Sequence, residues 1–175
     1  MSTVQISLDQ MIQSLLDSKK YTTLRDMLTT MNPADIAGVF RLLPDNSLPL
    51  LFRLLPKELA ADTFVEMDED SQELLIQGFS DRELKEVIDE LYVDDAVDLV
   101  EEMPATVVKR ILKQAAPDMR QMINEILKYP EDSAGSIMTT EYVNLWPQMT
   151  VSEALERIRK TGVDKETIYT CYVTA

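Results

Sequence analysis

Residues 32–67 read NPADIAGVFRLLPDNSLPLLFRLLPKELAADTFVEM, and one short pattern occurs three times in this stretch. Each copy opens with proline or aspartate, which favour the first positions of a helix, and continues with large apolar residues at helical spacing. Pro44 and Pro56 separate the copies, because proline cannot continue a helix. The stretch therefore predicts three consecutive short helices.

Similar start signals recur about every 12 residues as far as residue 129. Helices of this length are marginal alone, so they must bury their apolar faces on one another. A short repeat of this kind is typical of an α-superhelix built from packed helix pairs. The later starts are at Asp68, Ser80, Val93, Pro104 and Pro117, and two earlier helices are predicted at roughly 7–18 and 21–30.

The pattern changes after residue 129. Residues 130–141 contain proline, glycine and a cluster of serine and threonine, and they predict a linker. YVNLW (142–146) and TIYTCYV (167–173) are β-branched and aromatic, which favours strands. TVSEALERIRK (150–160) predicts a helix that opens with a Thr–Glu capping box. The end of the chain is therefore predicted to form a β-α-β unit.

Acidic residues are concentrated in the middle third of the chain. The net charge is −14, and the segment between Pro56 and Pro104 contains 17 Asp and Glu residues but only 3 Lys and Arg residues. That segment alone accounts for the whole imbalance, so the charge is localised, although an ordinary solvated acidic surface remains an alternative. The sign of the charge argues against a nucleic-acid backbone as a partner.

The residues that most enzymes use are scarce. The chain has no histidine, its single cysteine, Cys171, lies in a predicted strand, and its four glycines are too far apart to form a phosphate loop. Carboxylate pairs could support acid–base catalysis, but no pocket signature accompanies them. We predict that the chain is not an enzyme, and we recognise neither a signal peptide nor a membrane span in it.

LYVDDAVDLVEEM (91–103) contains five carboxylates and no lysine or arginine. Helical spacing from Val93 places its apolar residues on one face, which is expected to pack inward: Val93, Ala96, Val97, Val100 and Met103. Like charges four residues apart on a helix repel each other, so the pattern needs an explanation. Asp94 and Asp95 stand at the predicted helix start, where capping and the helix dipole favour a carboxylate, but Asp98 does not. Clustered carboxylates also suit a hard cation such as Mg²⁺ or Ca²⁺. Spacing alone leaves both interpretations open: capping with a solvated face, or a metal site.

Four stretches resemble the cytosolic N-terminal region of MgtE-type magnesium transporters and channels. The most specific is YPEDSAGSIMTTEYV (129–143), with Tyr-Pro-acid-acid, then Ala-Gly, then Met-Thr, leading into a strand. The four stretches follow one another in the same order as in the family, and together they cover most of the chain from residue 33 onward. The other three are LLPKELAADTFVEMD (54–68), ELYVDDAVDLVEEMP (90–104) and TVSEALERIRKTGVDKETIYTCYV (150–173).

The resemblance implies a fold that agrees with the helical pattern. The expected class is mainly all-α: an armadillo-like, right-handed superhelix of about ten short helices, then a linker and a β-α-β half of a CBS module. The expected domains are a magnesium-sensing superhelix (1–129), the linker (130–141) and a truncated half module (142–175). In the family, the rest of the CBS pair and a membrane domain with the ion pore follow, and they are expected to be absent from this chain.

The resemblance also implies a function, namely a regulatory region in which Mg²⁺ bound between the acidic N domain and the CBS domains closes the pore. The family's L-x-x-D-D-x-x-D motif falls on Asp94 and Asp98, with Asp95 adjacent. A further acid of the family falls on Asp62, where relatives have Glu or Asp. These four carboxylates are the expected Mg²⁺ ligands, and neither catalytic nor cofactor-binding residues are expected.

The expected partners are the protein's own CBS and membrane domains. The resemblance implies a homodimer at the cytoplasmic face of the cell membrane, with no nucleic acid bound. The alternative that the residues leave open is an acidic α-solenoid scaffold that binds a basic protein. A response to Mg²⁺ that Na⁺ does not reproduce at equal ionic strength distinguishes a sensor from a scaffold.

Overall fold

The structure is a computed structural model that describes residues 8–130, 133–165 and 167–174. Within these ranges it contains eleven α-helices and two short strands, so the predicted fold class, mainly α with a β-α-β end, is confirmed. The helices are α1 (Leu8–Asp17), α2 (Tyr21–Leu28), α3 (Pro33–Phe40), α4 (Leu48–Phe52), α5 (Lys57–Val65), α6 (Glu69–Gly78), α7 (Asp81–Ile88), α8 (Val93–Glu102), α9 (Ala105–Gln114), α10 (Pro117–Ile126) and α11 (Val151–Thr161). The strands are β1 (Asn144–Leu145) and β2 (Tyr172–Val173).

The predicted helix starts rest on local hydrogen bonds. Asn32 directly precedes α3, and its side chain accepts a hydrogen bond from the backbone N–H of Asp35 at 2.8 Å. Asp68 caps α6 in the same way, and Ser80 opens α7 with a capping box completed by the Glu83 carboxylate. Each of these side chains satisfies an N–H group that has no partner inside its own helix.

The predicted helix that begins at Asp45 is shorter than the others. The chain forms a single 3₁₀ turn at Asp45–Ser47 and becomes α-helical only over the five residues of α4. Pro49 has no backbone N–H to donate to the Asp45 carbonyl, as an α-helix from Asp45 would require, and this carbonyl instead accepts the N–H of Leu48 in the 3₁₀ turn. The 12-residue spacing therefore predicted the right place but overestimated the length of the element.

The chain divides into two compact units, and the first contains the described residues up to Leu91 together with Leu99–Ala116. In this unit α3 packs against α5, α5 against α7 and α7 against α9. Each of these helices thus packs against the helix two positions further along the chain, as expected for packed helix pairs. Three buried aromatic side chains also meet in this unit, from α4, from α5 and from the residue after α6. The centroid of the Phe52 ring lies 6.2 Å from that of Phe64 and 5.3 Å from that of Phe79.

Arg110 ties α9 to the end of α6 in the first unit. Its guanidinium donates hydrogen bonds to the backbone carbonyls of Ile76 and Phe79, and its Nε lies 3.2 Å from Oδ1 of Asp81. The last carbonyl groups of a helix have no partner within the helix, and a cation there also suits the helix dipole. The N–H of Phe79 already bonds the last carbonyls of α6, and Arg110 adds from another helix the cation that the last turn of α6 does not contain.

The second unit contains Tyr92–Asp98 and the described residues from Pro117 onward. Its strands pair in parallel, with Asn144 opposite Tyr172, and α11 lies between them in the chain. This is the predicted β-α-β connection, and α11 carries the predicted capping box. The predicted domain boundaries at 129/130 and 141/142 stay predictions.

Both strands are shorter than predicted. Each has only the other as a described partner, so ladder bonds form only around the two residue pairs of the register. In the predicted strand 167–173, the Thr167 hydroxyl accepts the N–H of Tyr169 and the Cys171 thiol points to the carbonyl of Ile168. These local contacts favour a bend over an extended strand.

Arg157 holds α11 on β1. Its Nε donates to the carbonyl of Asn144 at 2.9 Å, and its Nη2 donates to the side-chain oxygen of the same residue at 3.0 Å. The guanidinium also lies 4.2 Å from the centroid of the Trp146 ring. Hydrogen bonds and a cation–π contact thus converge on one side chain.

Candidate functional site

Helix α8 carries the acidic motif and presents two different faces. The residues predicted to point inward are buried, whereas Asp98 is exposed and Asp94 and Asp95 are half-buried. The inward face predicted from helical spacing is therefore confirmed. Its members are Val93, Ala96, Val97, Val100 and Met103, all 8% exposed or less.

A carboxylate from the predicted linker lies at the start of α8. The backbone N–H of Val93 donates to Oε2 of Glu141 at 2.9 Å, across 48 residues of sequence. The acidic residues in the first turn of the helix are Asp94 and Asp95, so Glu141 adds a third carboxylate to this end of α8. Sequence reasoning missed Glu141. The signal that could have indicated it is the residue before the helix, Tyr92, which is not a type favoured at an N-cap.

Asp62 lies on α5, in the first unit, and its side chain is exposed. Partial desolvation, and then the negative charges of Glu58 and Glu90, raise the pKa of the Asp62 carboxyl. Glu90 is itself paired with Lys57, whose Nζ lies 2.5 Å from Oε1 of Glu90. The carboxylates around Asp62 are therefore only partly neutralised, which makes this surface favourable for a cation.

The four predicted ligands thus fall into two groups. Asp94, Asp95 and Asp98 share the first two turns of α8, and Asp62 lies with acids of its own unit. Among the described residues, no group of three or more histidine, cysteine or acidic side chains is arranged to hold a metal ion. Hydrated Mg²⁺ binds proteins through one or two carboxylates and keeps several waters, so the donor chemistry of α8 suits it even without a closed cage.

Six ion pairs in the described residues neutralise part of the acidic segment. They fall on acids between residues 68 and 90, and none of them involves Asp98 or Glu101. Their side chains are at least 29% exposed, so each pair contributes little to stability. The pairs are Arg41–Asp68, Arg53–Glu83, Lys57–Glu90, Arg82–Glu86, Lys85–Asp89 and Arg110–Asp81.

Packed helix pairs, an acidic helix and a parallel β-α-β arm define a class of protein: an acidic helical repeat domain followed in the chain by a small α/β segment. No helix in the described part of the chain has the length and apolar character needed to cross a membrane. Residues 8–132 match the family model described as the MgtE intracellular N domain, and the chain belongs to that family. The predicted family and the predicted intracellular location are thereby confirmed.

Two curated relatives are named magnesium transporter MgtE. The one from Thermus thermophilus is 31% identical over 93% of this chain, and the one from Bacillus subtilis is 23% identical over 91%. The chain spans only 37% and 35% of the length of these two proteins. Neither carries the name of an enzyme.

A solved structure is similar over nearly the whole chain. It is described as the cytosolic domain of the Mg²⁺ channel MgtE in complex with ATP. It superposes with a TM-score of 0.86 at 30% identity, covering 96% of this chain and 69% of that one. The similarity extends through the β-α-β arm, which lies beyond the range of the family model.

Proposed function

We propose that this chain is the magnesium-sensing regulatory region of a magnesium transporter or channel. In the intact protein, Mg²⁺ bound between the acidic helical domain and the CBS modules would hold the pore closed. The observation that carries the proposal is the outward face of α8. Its carboxylates form the L-x-x-D-D-x-x-D pattern of residues 91–98, while the opposite face of the helix is buried.

Asp94 and Asp98 would hold the ion directly or through its waters, with Asp95 beside them and Asp62 at a second position. Bound Mg²⁺ supplies two positive charges that relieve repulsion among these acids. A few partly solvated carboxylates bind Mg²⁺ weakly, with a dissociation constant on the order of millimolar, which suits a sensor of an abundant ion. The partners in this proposal are the CBS and membrane domains of the same protein, assembled as a homodimer, and no catalysis is involved.

The direct test is a titration of this chain with MgCl₂, followed by NMR at constant ionic strength. We expect amide signals of α8 to shift with Mg²⁺ and not with the same ionic strength of NaCl. The shifts should disappear when Asp94→Asn and Asp98→Asn are combined. The matched control combines Asp26→Asn with Glu66→Gln, which removes two exposed carboxylates outside α8 and should leave the response unchanged.

Two outcomes would overturn the proposal. One is an equal response to Mg²⁺ in the α8 variant and in the control. The other is an equal response to Mg²⁺ and Na⁺ together with tight binding of a lysine-rich peptide, which would favour the acidic scaffold. In the intact transporter, the α8 variant should continue to conduct at Mg²⁺ concentrations that close the parent, and a flux assay measures this.

A further inference from the structure

The hydrogen bond between Glu141 and Val93 joins the acidic helix to the segment that leads into β1. Its acceptor is held in place from its own side as well: the N–H of Glu141 donates to Oγ1 of Thr139 at 3.2 Å. Two residues further on, Val143 is 2% exposed, and its carbonyl accepts the N–H of Tyr172 at 3.1 Å. A short path of ordered contacts therefore runs from the start of α8 to the sheet.

This contact brings a side chain from a distant segment to the first N–H group of a helix. The side chains of Asn32, Asp68, Ser80 and Thr150 cap the helices that follow them directly. At α8 the Val93 N–H is instead bound by a residue from far along the chain. The bond therefore depends on where the 133–143 segment lies, whereas a cap from the adjacent residue remains with its helix.

The charges around this bond oppose one another. The N–H of Val93 and the dipole at the start of α8 attract the Glu141 carboxylate. The carboxylates of Asp94 and Asp95, in the same first turn, repel it. A cation on the α8 carboxylates would cancel the repulsion and leave the attraction, so the bond to Val93 would become stronger.

We infer that Glu141 is a positioning residue that transmits cation occupancy of α8 to the β-α-β arm. The inference rests on the proposed function, because it needs a cation at Asp94 and Asp98. Glu141 acts through the Val93 N–H and is not counted among the ligands. By linkage, if the cation strengthens this bond, the bond strengthens cation binding by the same factor.

The test measures amide exchange at single residues by NMR, with and without MgCl₂ at constant ionic strength. The reporters are the N–H groups of Val93, which makes the bond, and Tyr172, which pairs with the strand beyond it. In the parent chain we expect Mg²⁺ to slow exchange at both reporters by about fivefold, within the usual range of coupling between sites.

Two substitutions separate the charge of Glu141 from its hydrogen bond. Glu141→Ala removes both, so the Mg²⁺ effect at Tyr172 should fall to less than about twofold while α8 signals still shift with Mg²⁺. Glu141→Gln keeps an oxygen that can accept the Val93 N–H, so the metal-free exchange rate should stay near that of the parent and the Mg²⁺ effect should be lost. The control is Glu156→Gln, which removes one exposed carboxylate from α11 and should change neither.

The inference is wrong if Tyr172 responds to Mg²⁺ in Glu141→Ala as it does in the parent, or if Glu141→Gln keeps the full effect. It is also wrong if Mg²⁺ shifts the amide signals of α8 in the parent but leaves amide exchange at Val93 and Tyr172 unchanged. The proposed function survives that result. If α8 of the parent itself ignores Mg²⁺, the proposed function fails and the inference fails with it. The emission of Trp146, the single tryptophan, reports whether each variant keeps the fold of the arm.

Discussion

Arg53 and Glu83, thirty residues apart in the sequence, form a hydrogen-bonded ion pair in which Nε of Arg53 lies 2.6 Å from Oε1 of Glu83. The same carboxylate accepts the backbone N–H and the hydroxyl of Ser80 at the start of α7. One side chain therefore completes a helix cap and also joins α7 to the residue that follows α4.

We expect Glu83 to contribute to acid unfolding. The bond from Arg53, followed by the bonds from Ser80, lowers the pKa of Glu83 from 4.5 to about 2. Because the folded-state pKa lies below the ordinary value, the ionised group stabilises the fold above about pH 4.5, and this contribution is lost as the pH falls towards 2.

Glu83→Gln should remove this pH-dependent contribution, and urea unfolding at several pH values measures it. Glutamine can still form the capping box, so the loss of about 1 kcal/mol near neutral pH should reflect the partly solvated ion pair. Glu86→Gln is the control, because its partner Arg82 is 87% exposed and the pair should contribute little. The prediction is contradicted if the free energy of unfolding falls with decreasing pH by the same amount in the parent and in Glu83→Gln.

Arg110→Ala should destabilise the helical unit by about 1–3 kcal/mol. The substitution leaves the carbonyls of Ile76 and Phe79 without the cation that caps them, and water replaces it only in part. Lys109→Ala removes the same charge from an exposed position one residue earlier in α9 and should change stability by less than about 0.5 kcal/mol. Thermal unfolding followed by circular dichroism compares the two variants. Similar losses of stability in both would show that the bonds from Arg110 do not stabilise the unit.

Arg157→Lys should loosen the β-α-β arm by about 1–2 kcal/mol, because an ammonium group cannot reproduce the two directed bonds to Asn144. Trp146 is the only tryptophan and lies against this guanidinium, so its fluorescence reports the arm selectively. We expect the denaturation midpoint reported by Trp146 fluorescence to fall in Arg157→Lys. Arg159→Lys, on the exposed side of the same helix, serves as the control, and a midpoint that moves equally in both variants would rule out the prediction.

Gly135 and Gly38 should respond oppositely to alanine. A Cβ at Gly135 would collide with the ring of Tyr129, so the ring or the loop must move, which costs about 1–3 kcal/mol. A Cβ at Gly38, in the middle of α3, meets nothing within 4 Å, and alanine there should stabilise the helix by about 0.5–1 kcal/mol.

The Gly38→Ala gain is measured by chemical denaturation. The Gly135→Ala loss is measured by the chemical shifts of the Tyr129 ring and by the Trp146 midpoint. A Gly135→Ala variant with unchanged Tyr129 signals would mean that the close approach of ring and backbone is not required. The result would also show whether glycine in the Ala-Gly pair of the 129–143 stretch serves packing against that tyrosine.

Residues close together in the sequence determined most of the helical architecture. Ser80 and Glu83 are three positions apart, so one short window contains a complete capping box. The buried face of α8 follows from helical spacing alone, and the same spacing places Asp94 and Asp98 one turn apart. These features were predictable because each depends on backbone geometry that repeats within a few residues.

Tertiary structure decided how these local elements are held and connected. Arg110 reaches carbonyls 31 and 34 residues away, and Glu141 reaches Val93 across 48 residues. The acids beside Asp62 include Glu90, which lies 28 positions further along the chain. Local patterns do not contain such contacts, because they exist only after helix packing has brought distant segments together. For the same reason α8, whose acidic face was predictable, receives its cap from a linker residue that only the folded chain places there.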